Sequence, residues 1–154
     1  MPVNYLNQIL NSSVYDVATE TPLEVARVLS GRLGNNILIK REDLQPVFSF
    51  KIRGAYNKLA KLTAIEKTRG VIAASAGNHA QGVALAAKKL KIPATIVMPE
   101  TTPTIKVEAV RNWLPKIILH GDDFQEAYTK SLEISKIKSL TYIHPFDDPD
   151  VIAG

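Results

Sequence analysis

Gly70-Val71-Ile72-Ala73-Ala74-Ser75-Ala76-Gly77-Asn78-His79-Ala80-Gln81-Gly82 reads as a strand that passes through a turn into a helix. Val71–Ala74 is an apolar run too short for a helix and suited to a buried strand. Beyond the turn, Ala80, Val83, Ala84, Ala87 and Leu90 recur at helical spacing, and their small size lets a helix lie close on a sheet. The same alternation continues downstream. Ala94–Met98 is a second strand. Thr102 is placed to cap the next helix, with Pro103 at its first position and Ile105, Ala109, Val110 and Trp113 on one face. Lys116–Leu119 is a third strand. After the Gly121 turn, Asp122 or Asp123 caps a helix carrying Phe124, Ala127, Tyr128 and Leu132, and Thr141–Ile143 is a fourth strand. Strands alternating with helices in this way predict βαβ units: an α/β fold with a parallel sheet and flanking helices. Trp113 and Phe124 are expected in the core.

Upstream of Gly70 the pattern is less regular. Residues 4–15 carry Tyr5, Leu6, Ile9, Leu10 and Val14 at helical spacing. Pro22 suits the first turn of a second helix bearing Leu23, Ala26, Val28 and Leu29. Residues 30–36 are turn material, Ile37–Arg41 a strand, residues 42–46 a loop, and residues 54–62 a helix. Residues 1–69 therefore read as part of one body and residues 70–154 as another. The ending Asp147-Asp148-Pro149-Asp150-Val151-Ile152-Ala153-Gly154 reads as a linker into something further.

Composition narrows the function. The 154 residues are 45% apolar and 22% charged, the balance of a folded globular chain rather than a disordered one. The net charge of +4 comes from scattered lysines and arginines, with no basic stripe to suggest a nucleic-acid partner. There is no cysteine, so disulfide and thiolate chemistry are excluded. The amino-terminal stretch Met1–Asn7 lacks the basic start and apolar core of a secretory leader, and no apolar run is long enough to span a membrane. A cytoplasmic protein is expected. The histidines His79, His120 and His144 stand in separate units without ligand spacing, so no metal site is expected. No Gly-x-Ser-x-Gly occurs.

Two stretches can carry chemistry. In Ser75–Gly82 a strand runs into the start of a helix, where N–H groups without internal partners and the positive end of the dipole receive anions. Ser75 adds a hydroxyl, Gly77 permits close approach, and Asn78 offers both donor and acceptor. The stretch is neither a dinucleotide fingerprint nor a Walker loop, and an ordinary helix cap explains its spacing equally well. The other stretch is Ser49-Phe50-Lys51-Ile52-Arg53-Gly54-Ala55-Tyr56. Apolar neighbours Phe50 and Ile52 disfavour an ammonium ion, and an uncharged lysine is a nucleophile able to form a Schiff base. Alternatively, Arg53 and Lys51 together make a phosphate-binding patch.

Lys40-Arg41-Glu42-Asp43-Leu44-Gln45-Pro46-Val47-Phe48-Ser49-Phe50-Lys51-Ile52-Arg53-Gly54-Ala55-Tyr56 resembles the lysine motif of the biosynthetic threonine dehydratases (threonine ammonia-lyases). These belong to the fold-type II, tryptophan-synthase-β-like enzymes that use pyridoxal 5'-phosphate. Ser75–Gly82 resembles the asparagine loop of that family, and Lys106–Arg111 and His144–Asp147 are similar too, so the resemblance covers about residues 14–154. It implies that Lys51 holds pyridoxal phosphate, that Asn78 hydrogen-bonds the 3'-oxygen of its ring, and that Phe50 packs near the ring. It further implies that Ser75, Gly77, Asn78 and His79 receive the carboxylate of an amino-acid substrate, and that the reaction converts L-threonine to 2-oxobutanoate and ammonia, the first step toward isoleucine. A homo-oligomer, a tetramer by resemblance, is implied for the whole enzyme. The glycine-rich loop for the cofactor phosphate, the partner of the pyridine nitrogen and the regulatory domain of the long forms are expected beyond Gly154. The chain is thus expected to hold an incomplete fold and to be inactive in isolation. Related readings are a serine dehydratase or racemase with the same cofactor, or a non-catalytic α/β module. The lead-in Gln45-Pro46-Val47-Phe48-Ser49 favours the threonine enzyme. Asn112-Trp113-Leu114-Pro115 departs from the Gly-Ala-type turn usual there.

Overall fold

The computed structural model describes residues 4–154; residues 1–3, part of the stretch judged against a leader, lie outside it. The expected α/β architecture is present. Strands β1 (Leu23–Val25) and β2 (Leu38–Lys40) form a small antiparallel pair. Strands β3 (Val71–Ala74), β4 (Ala94–Met98), β5 (Lys116–Leu119) and β6 (Thr141–Tyr142) form a parallel sheet in the order β5-β4-β3-β6. The helices are α1 (Tyr5–Leu10), α2 (Arg27–Leu33), α3 (Lys51–Ala60), α4 (Ala64–Arg69), α5 (Asn78–Leu90), α6 (Thr104–Arg111), α7 (Phe124–Lys138) and α8 (Pro149–Ala153). Among the described residues no helix is long and apolar enough to cross a membrane.

Every residue of β3 is fully buried, because both faces of the sheet are covered. Side chains alternate across it. Val71, Ala73, Ile96 and Met98 join Ala80, Val83, Ala84 and Ala87 of α5 and Ile52, Ala55 and Leu59 of α3 in one cluster. Ile72 and Val97 face the other way, toward Ala127 of α7. The chain runs β3-α5-β4-α6-β5-α7 and then returns to place β6 on the opposite side of β3. Beyond the carboxyl ends of β3 and β6 the connections diverge, which is where open α/β sheets form ligand crevices.

Close packing of α3 on α5 depends on Gly82. A Cβ there would lie 3.0 Å from the Lys51 carbonyl oxygen. On its other side α3 carries α8: a Cβ on Gly54 would lie 2.6 Å from the Val151 carbonyl oxygen. The expected linker is therefore a docked helix. Asp148 caps it, accepting from the N–H groups of Asp150 and Val151, with Pro149 in the first turn where no N–H is needed. Asp148 and Asp150 also pair with Lys58 of α3.

Other expectations need correction. The helix expected from Pro22 is a strand first: Leu23–Val25 pairs with β2, and the Pro22 carbonyl accepts from Arg41 N–H. Proline at the start of an edge strand loses no ladder bond. The helix α2 begins only at Arg27 and runs into the expected turn, ending on Gly34 with φ 59°. Residues 4–15 form α1 and a separate 3-10 turn at Val14–Asp16. The helix expected over residues 54–62 begins earlier, at Lys51. Thr102 does not cap α6, since Pro103 holds that position and the buried Thr102 hydroxyl has no partner among the described residues. Asp123 does cap α7. Phe124 is half exposed rather than in the core, stacking on Tyr128. The unusual turn before β5 holds Leu114 at φ 66°, a left-handed conformation that glycine adopts without strain.

Candidate active site

Lys51 is the first residue of α3, and the loop before it is built to deliver it there. Phe48 is held at φ 55° by its N–H bond to the Gln45 carbonyl, a conformation that costs about 1–2 kcal/mol and persists only where surroundings enforce it. The Ser49 hydroxyl then accepts from Lys51 N–H at 3.3 Å, satisfying one of the open donors of the helix start. The Gln45 carboxamide is fully buried and clamps Thr19 by both its N–H and its carbonyl.

Arg53 does not join Lys51 in a phosphate patch. Its guanidinium forks onto Glu42, with Nε–Oε2 at 2.8 Å and Nη2–Oε1 at 2.9 Å. Glu42 also accepts from the Thr21 hydroxyl at 2.6 Å. The Arg53 hydrogen bond holds the Glu42 carboxyl down to about 2, against the desolvation that opposes it. Glu42, in the stretch expected as a loop, is the centre of a half-buried network that ties the segment before β1 to α3.

Lys51 Nζ enters a cleft of about 290 Å³ whose walls include Phe50, Arg53, His79, Pro145 and Phe146. The amine donates to the Pro145 carbonyl at 2.7 Å and lies 5.3 Å from the centre of the Phe50 ring. Across from it His79 is buried, and its Nε2 lies 3.0 Å from the Ile143 carbonyl oxygen. A carbonyl can only accept, so Nε2 carries the hydrogen. Burial, with the positive charge of Lys51 adding to it, pushes the His79 imidazole down to about 4. The ring is therefore neutral at physiological pH.

The turn after β3 supplies donors. The backbone N–H groups of Asn78, His79 and Ala80 have no acceptor among the described residues, because the first bond of α5 runs from Gln81 N–H to the Gly77 carbonyl. Gly77 N–H donates to the Ser75 hydroxyl at 3.2 Å. A Cβ on Gly77 would meet nothing within 4 Å, so the space beside it is open. The structure thus gathers Phe50, Lys51 and His79 around one cleft. Ser75, Gly77 and the exposed Asn78 form the turn that leads into His79 rather than its walls. Sequence reasoning anticipated the open N–H groups of this helix start and missed the carbonyls that the main chain offers. The Pro145 and Ile143 carbonyls bind Lys51 and His79, yet no side chain marks them, although Pro145 lies within the His144–Asp147 stretch that resembles the family.

The pattern of a lysine amine, an apolar cleft and open helix-start donors suits a cofactor that has an electrophilic carbon and an anionic partner. Residues 14–154 match the family model described as pyridoxal-phosphate dependent enzyme. The chain belongs to the pyridoxal-phosphate-dependent enzymes. It is 59% identical over 150 residues to the biosynthetic L-threonine dehydratase of Pasteurella multocida, covering 97% of this chain and 29% of that protein. Among solved structures it is similar to the processed form of threonine deaminase isoform 2 from Solanum lycopersicum, with a TM-score of 0.93, 59% identity, and coverage of 97% of this chain and 44% of that one. It is also similar to maize serine racemase, with a TM-score of 0.90 at 31% identity, covering 96% of this chain and 45% of that one. Backbone shape therefore does not separate the threonine from the serine enzymes, whereas identity does. The chain spans only 25–29% of the first curated relatives it matches.

Proposed function

We propose that the protein carrying this chain deaminates L-threonine to 2-oxobutanoate and ammonia using pyridoxal phosphate, with Lys51 as the covalent anchor. The observation that carries this reading is the Lys51 amine held in a cleft beside the open N–H groups of α5. When bound, the cofactor supplies an electron sink for the pair left at the substrate Cα. Lys51 Nζ holds the cofactor and, once free, takes the proton from Cα. Asn78 would hydrogen-bond the ring oxygen with its exposed carboxamide, and Phe50 would pack near the ring. The helix-start N–H groups of Asn78 and His79, with Ser75 and Gly77 before them, receive the substrate carboxylate. Neutral His79 keeps a second cation away from Lys51. Hydroxide leaves Cβ with a proton as water, and a second water later releases the nitrogen as ammonia, which balances the reaction.

Arg53, the arginine of the cleft, is committed to Glu42, so residues elsewhere in the full-length protein would hold the cofactor phosphate. The 154-residue chain alone is accordingly expected to show little or no turnover. The division near residue 70, a cytoplasmic location and a homotetramer belong to the same proposal, and of these the family resemblance supports the tetramer. The test uses the full-length protein loaded with pyridoxal phosphate. An absorbance band of lysine-bound cofactor and 2-oxobutanoate production from threonine are expected, both lost in Lys51→Ala. A band that survives the substitution removes Lys51 from its role, and turnover of serine to its enantiomer in place of threonine deamination moves the assignment to a racemase.

A further inference from the structure

We infer that His144 is a positioning residue for Lys51, acting through the turn that aims the Pro145 carbonyl at the lysine amine. The turn follows β6. The outer residues of Ile143-His144-Pro145 each give a carbonyl to the cleft: Ile143 to His79 Nε2 at 3.0 Å and Pro145 to Lys51 Nζ at 2.7 Å. The middle residue ties the turn together. His144 Nδ1 accepts from Asp147 N–H at 2.7 Å and from Phe146 N–H at 3.3 Å. An accepting Nδ1 carries no hydrogen, so Nε2 does. Pro145 has a locked φ and no N–H of its own, which leaves its carbonyl as its one polar main-chain group. Turn and carbonyl direction are thus set by one ring nitrogen.

The His144 ring also touches aromatic neighbours. It lies edge-on to Phe146 at 4.6 Å and to Tyr142 at 6.2 Å. Ring packing and the accepting nitrogen are separable by substitution. Asparagine can accept from an N–H two residues on but has no ring. Phenylalanine keeps the ring and cannot accept. The consequence for Lys51 is entropic: a long flexible side chain is pre-ordered in the cleft by its bond to Pro145, and losing the acceptor frees it to leave.

This inference rests on the reading of Lys51 as the cofactor lysine, and its test separates the two. In the full-length protein without cofactor, amide hydrogen exchange is followed at Phe146 and Asp147 in His144→Ala, His144→Phe and His144→Asn. The rate of pyridoxal-phosphate loading is then read from the lysine-bound absorbance band, with Lys51→Ala as the blank and thermal unfolding as a check of folding. Ala and Phe variants are expected to exchange these amides faster and to load the cofactor about tenfold more slowly, the worth of one hydrogen bond, while Asn stays within about threefold of the parent. Normal loading in Phe with failure in Asn would assign the role to the ring and overturn the inference. So would faster exchange with unchanged or accelerated loading. A band that persists in Lys51→Ala would remove the reading of Lys51, while the exchange pattern would still decide whether His144 holds the turn.

Discussion

Substituting Gly82 by alanine tests how the two halves of the site are held together. Alanine is favoured over glycine inside a helix by about 1 kcal/mol, so without neighbours the change is stabilising. Gly31 in α2 provides that reference, because a Cβ there meets nothing within 4 Å. At Gly82 the new methyl would lie 3.0 Å from the Lys51 carbonyl oxygen, 3.1 Å from its carbonyl carbon and 3.3 Å from Ile52 N. Those atoms are main chain and cannot rotate away. The start of α3 must therefore retreat by a few tenths of an ångström. Overpacking of this kind costs about 1–3 kcal/mol, which outweighs the helix-propensity gain by about 1 kcal/mol.

Urea unfolding of the two variants reads the difference directly. Gly31→Ala is expected to be more stable than the parent and Gly82→Ala less, with a separation of about 2 kcal/mol. Because α3 starts at Lys51, the same retreat shifts the lysine relative to Pro145, so Gly82→Ala is also expected to load pyridoxal phosphate more slowly. If Gly82→Ala proves as stabilising as Gly31→Ala and loads normally, the close approach of α3 to α5 does not position the lysine.

Two further outcomes follow from the charged and titratable groups. His79 is held near pKa 4 by burial, whereas the unfolded chain takes up that proton near 6.5. Stability should therefore fall as pH drops from about 6.5 to about 4, by up to about 3 kcal/mol, and urea midpoints that stay level across that window would contradict the burial of a neutral ring. Glu42→Gln leaves the half-buried Arg53 fork without its counter-charge and should cost about 2 kcal/mol in unfolding experiments, part of it recovered when Arg53→Met is added; an unchanged midpoint would show the pair to be dispensable.

The parallel sheet was legible because its strands are short, apolar and separated by helices with strong spacing. Val71–Ala74 buries all four residues, as a run with no polar member requires. Legibility failed where one signal serves two structures. Proline at residue 22 fits a first helical turn and an edge-strand start alike, and pairing with Leu38–Lys40, a contact across the chain, chose the strand. The ending at 147–154 carried an aspartate cap followed by proline, yet a short helix gains stability from what it docks on. Its partner, the Gly54 face of α3, is remote in sequence. Glu42 looked like a loop carboxylate because its partners Thr21 and Arg53 are distant along the chain.

The site divides in the same way. Lys51, Phe50 and His79 are side chains; residue type pointed to Lys51 and its neighbour Phe50, and the family resemblance to His79. What directs the lysine is main chain: the carbonyl of Pro145, the carbonyl of Lys51 itself pressed against Gly82, and the left-handed backbone at Phe48. Every residue offers a carbonyl, so no residue type can announce one that matters. The topology supplies the missing information. β6 returns beside β3 rather than extending the sheet past β5, and this places the turn after β6 opposite the turn after β3. Lysine and helix start can then face one another across a crevice whose other walls include Pro145 and Phe146 of that turn and Val151, Ile152 and Gly154 at α8. A lysine carried on the same α3 but facing an extended, unreversed sheet would have open N–H donors on one side and no carbonyl to aim it on the other.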